Sequence, residues 1–207
     1  MTSNSRLVVL IISALAWAAL AVQTAVDLSA GDGLATSLWT QLRYFTNTTV
    51  LAVALLFGWA AIQGRWPHPG WPAAITVWIV LVGVVYHALL AATHHPEGWD
   101  VLVNIVQHTI LPVAVLIAWL TVFPQHGLAV RHAIYWVAYP LGYATYAIVR
   151  GLIDGKFPYF FLDPVKTGVP GVIGFIIGLG ALFFISGLLI VWVARKNYSQ
   201  NTANLQP

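Results

Sequence analysis

Two short polar segments inside otherwise apolar stretches carry the residues that could do chemistry. The segment "RYFTNTT", at the head of one apolar stretch, carries Thr46, Thr48 and Thr49, and the segment "NIVQHTILP", within another, carries His108. A threonine hydroxyl attacks an acyl carbon when a base removes its proton. A neutral imidazole can act as that base and later return the proton as an acid. The two residue types are therefore typical of acyl transfer, provided that the fold brings them together.

Neighbouring polar residues are candidates for supporting roles. Asn47, or a backbone N–H near the start of its helix, would stabilise an oxyanion. Asn104 precedes His108 by four residues, so it lies one helical turn away on the same face and would orient the imidazole. His87 would either support the site or bond a neighbouring helix.

Purely structural roles are the alternatives for these residues. Threonines in membrane helices often bond a carbonyl one turn back, and Thr46 would do the same. His108 would then be a buried histidine that bonds across helices. In either case the residues would hold the fold together without reacting.

A stripe of tyrosines forms a further candidate surface. Its members recur every three or four residues, so they share one face of a helix; they are Tyr135, Tyr139, Tyr143 and Tyr146, with Arg150 at the end. The tyrosines would pack against neighbouring helices or line a cavity. Arg150 would pair with Asp154 or Asp163, or hold a substrate carboxylate.

Composition decides the class of protein that must position these side chains. The chain has 207 residues, of which 59% are hydrophobic and 7% charged, whereas soluble domains carry about 25% charged residues. The sequence therefore predicts an all-α integral membrane protein. The absence of cysteine excludes disulfides and thiolate metal sites. The net charge of +3 fits control of membrane topology and no nucleic-acid partner.

Six apolar segments are long enough to cross a bilayer, which takes about 20 residues of helix. They are continuous, unlike the alternating strands of a β-barrel, and lie at 7–26, 42–63, 72–93, 101–122, 130–150 and 169–194. The sequence predicts one six-helix transmembrane domain over residues 1–207, with a disordered tail at about 197–207. A signal peptide is the alternative for the first segment, because Arg6 precedes it.

Charge predicts the orientation of the bundle. With the N-terminus in the cytoplasm, all six acidic residues fall outside and five of the nine basic residues fall inside, in weak agreement with the positive-inside rule. Both termini are then cytoplasmic, in a bacterial cytoplasmic membrane. Thr46, His87 and His108 would lie at similar depth, around a polar cavity that opens to the outer leaflet.

Pro112 follows His108 by four residues. Proline has no N–H to bond the carbonyl four residues earlier, so the helix is predicted to kink at this point. Irregular backbone at membrane depth is tolerated mainly where it lines a cavity or is buried in protein. The proline therefore favours a cavity beside His108.

The segments "RYFTNTT" and "NIVQHTILP" resemble the androgen-induced-gene family of six-helix membrane hydrolases. The segment "YPLGYATYAIVRG", followed by "FPYFFLDP", resembles a prokaryotic six-helix membrane family of the same group. The resemblance covers nearly the whole chain in helix count and motif order. It implies a threonine hydrolase without a cofactor, in which Thr46 is the nucleophile and His108 its partner, and which cleaves fatty acid esters of hydroxy fatty acids.

The resemblance thus favours a hydrolase that acts on a lipid or amphiphilic ester within the bilayer and needs no metal. Two other classes remain open. One is a non-enzymatic lipid-binding or transport protein, because Pro112 and Pro140 interrupt two helices. The other is a haem or metal protein that uses His87 and His108, since histidine is the commonest metal ligand. The oligomeric state is left open.

Overall fold

The computed structural model describes the backbone of residues 1–203 and the side chains of residues 1–197. Helices account for the regular structure of this range, in two compact units, Met1–Gln125 and His126–Pro207. The first unit contains α1 (Ser3–Ser29), α2 (Leu34–Gln41), α3 (Phe45–Gln63), α4 (Gly70–Val85), α5 (Trp99–Ile105) and α6 (Leu111–Thr121). The second contains α7 (Val130–Asp154), a 3₁₀ turn (Phe160–Leu162) and α8 (Pro164–Ala203).

Among the residues that the structure describes, five helical stretches are long and apolar enough to cross a membrane, so the prediction of an all-α integral membrane protein is confirmed at this level. They are Ser3–Ser29, Phe45–Gln63, Gly70–Leu90, Trp99–Thr121 and Pro164–Asn197. The remaining predicted segment, 130–150, is the fifth along the chain and is helical within α7, which has 25 residues. Arg131, His132 and the tyrosines make α7 more polar than the other five.

Helix α2 is an element that the apolar pattern of the sequence does not predict. The predicted segment 42–63 begins as a helix only at Phe45, after the eight-residue α2 and a short turn. Of the tail predicted to be disordered, the backbone is helical as far as Ala203, and residues 204–207 lie outside the described residues. That prediction, and the prediction of a single domain, remain predictions.

Helices α1 and α3 pack closely because small residues face each other, which lets two backbones approach. Ser13 Oγ donates a hydrogen bond to the carbonyl of Ala54 (2.8 Å), and a Cβ on Gly58 would lie 2.9 Å from Ser13 Oγ. Near the other end of the pair, Arg6 Nε donates to the carbonyl of Ala61 (2.6 Å). These contacts run antiparallel and fix the position of α3, whose N-terminal turn carries Thr46.

Two single π-helical turns interrupt the spans that carry the histidines. One, Tyr86–Leu90, follows α4 and contains His87; the other, Val106–Ile110, joins α5 to α6 and contains His108. The second turn ends two residues before Pro112, where the sequence predicts a kink. In this turn the Leu111 N–H donates a hydrogen bond to the Val106 carbonyl, five residues earlier. Single π turns inside α-helices occur frequently at functional sites.

In the second unit, α7 and α8 pack through another small residue. A Cβ on Gly187 would lie 3.0 Å from the Cβ of Ala133 and 3.3 Å from the Trp136 ring. Near the start of α8, Gly168 has φ 71° and ψ 154°. This left-handed backbone breaks the helix at a position where glycine carries no Cβ penalty.

Candidate functional site

The hydroxyl of Thr46 and the imidazole of His108 are in direct contact. Thr46 Oγ1 lies 3.2 Å from His108 Nε2, although the two residues are 62 positions apart in the chain. Thr46 is the second residue of α3 and is 9% exposed, while His108 projects from the π turn before α6. The two residues that sequence reasoning placed at similar depth are therefore hydrogen-bonded partners in the first unit.

The second nitrogen of His108 determines which tautomer faces Thr46. His108 Nδ1 lies 3.1 Å from the backbone carbonyl of Asn104, and a carbonyl oxygen can only accept a hydrogen bond. Nδ1 therefore carries the proton, and Nε2 of the neutral ring has the lone pair that accepts from Thr46 Oγ1–H. This is the arrangement that a general base needs. Asn104 orients His108 through its backbone rather than through its side chain.

The other threonines of "TNTT" make different contacts. Thr48 Oγ1 donates to the carbonyls of Phe45 (3.0 Å) and Tyr44 (3.3 Å), which is the common backbone role of a threonine in a membrane helix. Thr49 is completely buried. Of the three threonines in this motif, Thr46 is the one whose hydroxyl the structure places against an imidazole.

The start of α3 also supplies hydrogen-bond donors next to Thr46. The first N–H groups of a helix have no partner within the helix, and they form the positive end of its dipole. Asn47 Oδ1 accepts a hydrogen bond from Gln107 Nε2 (3.0 Å), so the amide of Asn47 is oriented with its NH₂ as the remaining donor. Both features suit an oxyanion that forms near Thr46 Oγ1.

Tyr86 contacts His108, and the sequence did not predict this contact. Its ring stacks on the His108 imidazole with centroids 3.8 Å apart and planes 19° apart. Its hydroxyl lies 3.2 Å from His94 Nδ1. Because the stack covers one face of the imidazole, it limits rotation of the ring. A polar aromatic residue next to His87, inside an apolar segment, was the available signal.

We expect Tyr86→Leu to lower kcat for ester cleavage by roughly 10- to 100-fold, because a loosely held base spends less time in reacting geometry. Tyr86→Phe keeps the stacked ring and removes only the hydroxyl, so its turnover should stay near that of the wild type. Steady-state kinetics of the purified variants measure both effects. Equal kcat for Tyr86→Leu and the wild type would show that the stack does not position His108.

His87 lies beside this pair and not within it. Its Nε2 is 3.1 Å from Thr109 Oγ1, and its ring meets Tyr86 edge-on at 5.2 Å. The Thr109 contact ties the end of α4 to the turn that carries His108. His87 therefore bonds a neighbouring helical segment, which is one of the two roles predicted for it. A direct role in supporting the site remains a prediction.

Gly83 is a second contact that sequence reasoning missed. A Cβ at this position would lie 2.8 Å from the carbonyl oxygen of His108 and 3.1 Å from Cγ of Pro112. At Gly83, α4 thus lies so close to the irregular backbone of His108 that a side chain would not fit between them. A glycine one turn before His87 in an apolar helix was the available signal.

We expect Gly83→Ala to lower both the melting temperature and turnover, because the added methyl displaces the His108 backbone. A matched control is Gly142→Ala in α7, where an added Cβ meets nothing within 4 Å. In open helical positions this change usually stabilises by roughly 0.5–1 kcal/mol. Thermal unfolding and ester turnover, measured on both variants, test the contact. A gain in stability for Gly83→Ala similar to that of the control would contradict it.

Two cavities of opposite character meet at His108. An apolar groove of about 310 Å³ is lined by Val80, Gly83, Val84, Pro112, Val113 and Leu116, together with His87, His108 and Thr109. A polar cavity of about 350 Å³ is lined by Gln23, His94, His95, Glu97, Asp100 and Asn104, together with Pro96, Val103, Gln107 and His108. His108 thus lines both cavities.

Asn104 has a further feature on the side of the polar cavity. Its Oδ1 is buried and has no hydrogen-bond partner among the residues that the structure describes. Buried polar atoms normally have a partner, and this oxygen, which is covered by protein, would meet a donor in the cavity only after a movement of the Asn104 side chain.

The predicted tyrosine stripe lies on α7, in the second unit. Tyr143 is buried and Tyr139 half-buried, whereas Tyr146 is 37% exposed. Arg150 Nη1 donates to the Tyr146 hydroxyl (2.7 Å), and Arg150 Nε lies 3.9 Å from a carboxylate oxygen of Asp154. Asp154 is one of the two partners expected for this arginine. A role of the stripe in lining the cavity remains a prediction.

Among the side chains of residues 1–197, no group of three or more histidines, aspartates or glutamates is placed to hold a metal ion.

No protein-family model, curated protein or solved structure matches this chain. A functional interpretation therefore rests on the geometry of the site, and the resemblance to the androgen-induced-gene family remains a prediction. The central feature of that geometry is a threonine at a helix N-terminus, bonded to a histidine of defined tautomer.

Proposed function

We propose that this protein is an integral membrane hydrolase that cleaves a lipid-like carboxylic ester, with Thr46 as nucleophile and His108 as base. The observation that carries the proposal is the 3.2 Å contact between Thr46 Oγ1 and His108 Nε2, with His108 Nδ1 held by the Asn104 carbonyl. The resemblance to the androgen-induced-gene family of membrane threonine hydrolases favours the same pair.

In the first half of the reaction, Thr46 Oγ1 forms a bond to the ester carbonyl carbon while its proton passes to His108 Nε2. The carbonyl oxygen becomes an oxyanion, stabilised by N–H groups at the start of α3 and by the Asn47 amide. The bond from carbon to the alcohol oxygen then breaks. The alcohol leaves with the proton from His108, and the acyl group stays on Thr46.

In the second half, His108 Nε2 takes a proton from a water molecule whose oxygen bonds to the acyl carbon. The bond from that carbon to Thr46 Oγ1 breaks, and the proton returns to Oγ1. The products are a carboxylic acid and an alcohol.

The apolar groove is suited to the acyl chain. Its walls are mostly aliphatic and His108 is one of its lining residues, so a chain that lies in it would pass beside the base. Val84 and Val113 on its rim are 49% and 52% exposed. In a membrane these residues contact lipid, which allows an acyl chain to enter sideways from the bilayer.

The same proposal includes six transmembrane helices, which are the five apolar spans and α7. Both termini then lie in the cytoplasm of a bacterial cell. Helix α7 is long enough to span a bilayer of about 30 Å, since 25 residues rise about 37 Å. In this orientation the cavity around Thr46 and His108 opens toward the outer leaflet. Cysteine labelling with a membrane-impermeant maleimide, at residues introduced in the loops, tests the topology.

The experiment that tests the chemistry is covalent labelling with a long-chain fluorophosphonate. We expect the probe to react with the native protein and to be found by mass spectrometry on the peptide that contains Thr46. Heat-denatured protein should not react, because unfolding separates Thr46 from its base. Labelling at another residue, or no labelling of native protein, would contradict the proposal.

The apolar groove also supports the alternative of a protein that binds or carries lipids without cleaving them. Such a protein would bind a long-chain ester and the matching ether with equal affinity, and it would release no carboxylic acid or alcohol from either. Binding without turnover or labelling would favour this alternative over the hydrolase.

A further inference from the structure

The polar cavity on the other side of His108 bears on the alcohol half of the substrate. We propose that the ester's alcohol portion is small, hydroxyl-rich or cationic, and binds among Glu97, Asp100 and Asn104, while the acyl chain lies in the apolar groove. This inference rests on the proposed hydrolase function. It departs from the resemblance, which implies an alcohol that is itself a hydroxy fatty acid.

Charge is the first argument. The cavity is lined by the carboxylates Glu97 and Asp100 and by the imidazoles of His94, His95 and His108, and its described lining contains no lysine or arginine. Asp100 Oδ1 is held 3.4 Å from Gln23 Nε2. A hydroxy fatty acid would bring a third carboxylate to this cavity, and like charges at close range are unfavourable.

Size and polarity are the second argument. A water-sized group occupies about 30 Å³, so the cavity of about 350 Å³ holds roughly ten such groups. A glycerol or choline group fits within this volume. The alkyl chain of a long hydroxy fatty acid exceeds it and would meet polar walls, where apolar surface gains little.

Hydrogen bonding is the third argument. Asn104 lines the cavity, and its buried Oδ1 has no partner among the described residues. A hydroxyl donor on the alcohol would satisfy this acceptor once the Asn104 side chain turns it toward the cavity. Asn104 also bonds His108 Nδ1 through its carbonyl, so an alcohol held here lies beside the ring whose other nitrogen, Nε2, protonates it on departure.

Three non-cleavable ethers with the same hexadecyl chain test the inference by binding alone. Their head groups are glycerol (neutral), choline (cationic) and 9-hydroxystearate (anionic), and affinities are measured by calorimetry on protein in nanodiscs. The palmitoyl esters of the same three alcohols then test turnover. We expect the choline and glycerol compounds to bind about fivefold or more tightly than the hydroxystearate compound, and their esters to have a kcat/KM higher by about the same factor. This is the size of effect expected for one pair of partly exposed charges.

Glu97→Gln and Asp100→Asn remove the two carboxylates and keep the shapes of the side chains. We expect each change to reduce the preference for the choline compound over the hydroxystearate compound by up to about fivefold. Asp32→Asn is the matched control, because Asp32 is an exposed loop acid outside the lining of this cavity. It should leave the preference unchanged.

The outcomes separate the two proposals. Equal or tighter binding of the hydroxystearate ether by the wild type would overturn the inference, whether or not any ester is cleaved. A preference that survives both carboxylate changes would also overturn it. The expected binding order without turnover of any ester would support the polar pocket and overturn the hydrolase.

Discussion

Replacing Thr46 by valine is expected to abolish ester cleavage and leave the protein folded. Valine matches threonine in shape but has no hydroxyl, so it can neither bond to the acyl carbon nor donate to His108. Loss of a nucleophile commonly costs several orders of magnitude, and we expect kcat/KM to fall at least about 10³-fold. Turnover of a palmitoyl ester by purified protein measures this effect.

Two further threonine variants make this test specific. Thr46→Ser keeps a hydroxyl at the same position and should retain measurable turnover and labelling by the fluorophosphonate. Thr48→Val, two residues along α3, removes a hydroxyl that bonds backbone carbonyls and should leave turnover close to that of the wild type. If Thr46→Val turned over like Thr48→Val, Thr46 would be a structural residue.

Replacing His108 by glutamine is expected to lower kcat by about 10²- to 10⁴-fold, the usual contribution of a general base. Glutamine can still form hydrogen bonds, but it cannot take the Thr46 proton. His126→Gln is the matched control, because His126 is an exposed histidine at the start of the second unit. We expect it to leave kcat unchanged.

The double variant Thr46→Val, His108→Gln tests whether the two residues act as one unit. Residues that share one chemical step are strongly non-additive, so the double variant should be no slower than the worse single variant. Fully additive losses would mean that the two side chains act in separate steps, despite their 3.2 Å contact. Melting temperatures of all the variants identify any loss of activity that comes from unfolding.

The sequence by itself determined the class of protein and the position of most spans. Runs of about 20 apolar residues with few charges are stable as helices in lipid, since helices satisfy their own backbone hydrogen bonds. The five apolar spans therefore agree with the predicted segments to within a few residues at most ends. The sequence also placed polar groups, Thr46 and His108 among them, at similar depth inside apolar segments, where such groups are costly and usually functional. The resemblance to the androgen-induced-gene family then favoured Thr46 over Thr48 and Thr49.

The tertiary structure decided how these residues meet. Each residue along a helix turns the side chain by about 100°, so a small change in helix rotation would separate Thr46 from His108. Periodicity does not reveal the π turns that set this rotation, nor the contacts of Gly83 and Tyr86 with the His108 turn. These depend on packing between segments far apart in the chain, such as the approach of Gly83 to the His108 carbonyl.

The tautomer of His108 and the two cavities were likewise beyond the sequence. The proton on Nδ1 is fixed by a carbonyl at 3.1 Å, and the contrast between an apolar groove and a polar cavity arises only when α4, α5 and the loop at His94 fold around one imidazole. The sequence thus supplied a candidate nucleophile and a candidate base, whereas the folded helices decided which atoms face each other, because side-chain direction is a property of packing.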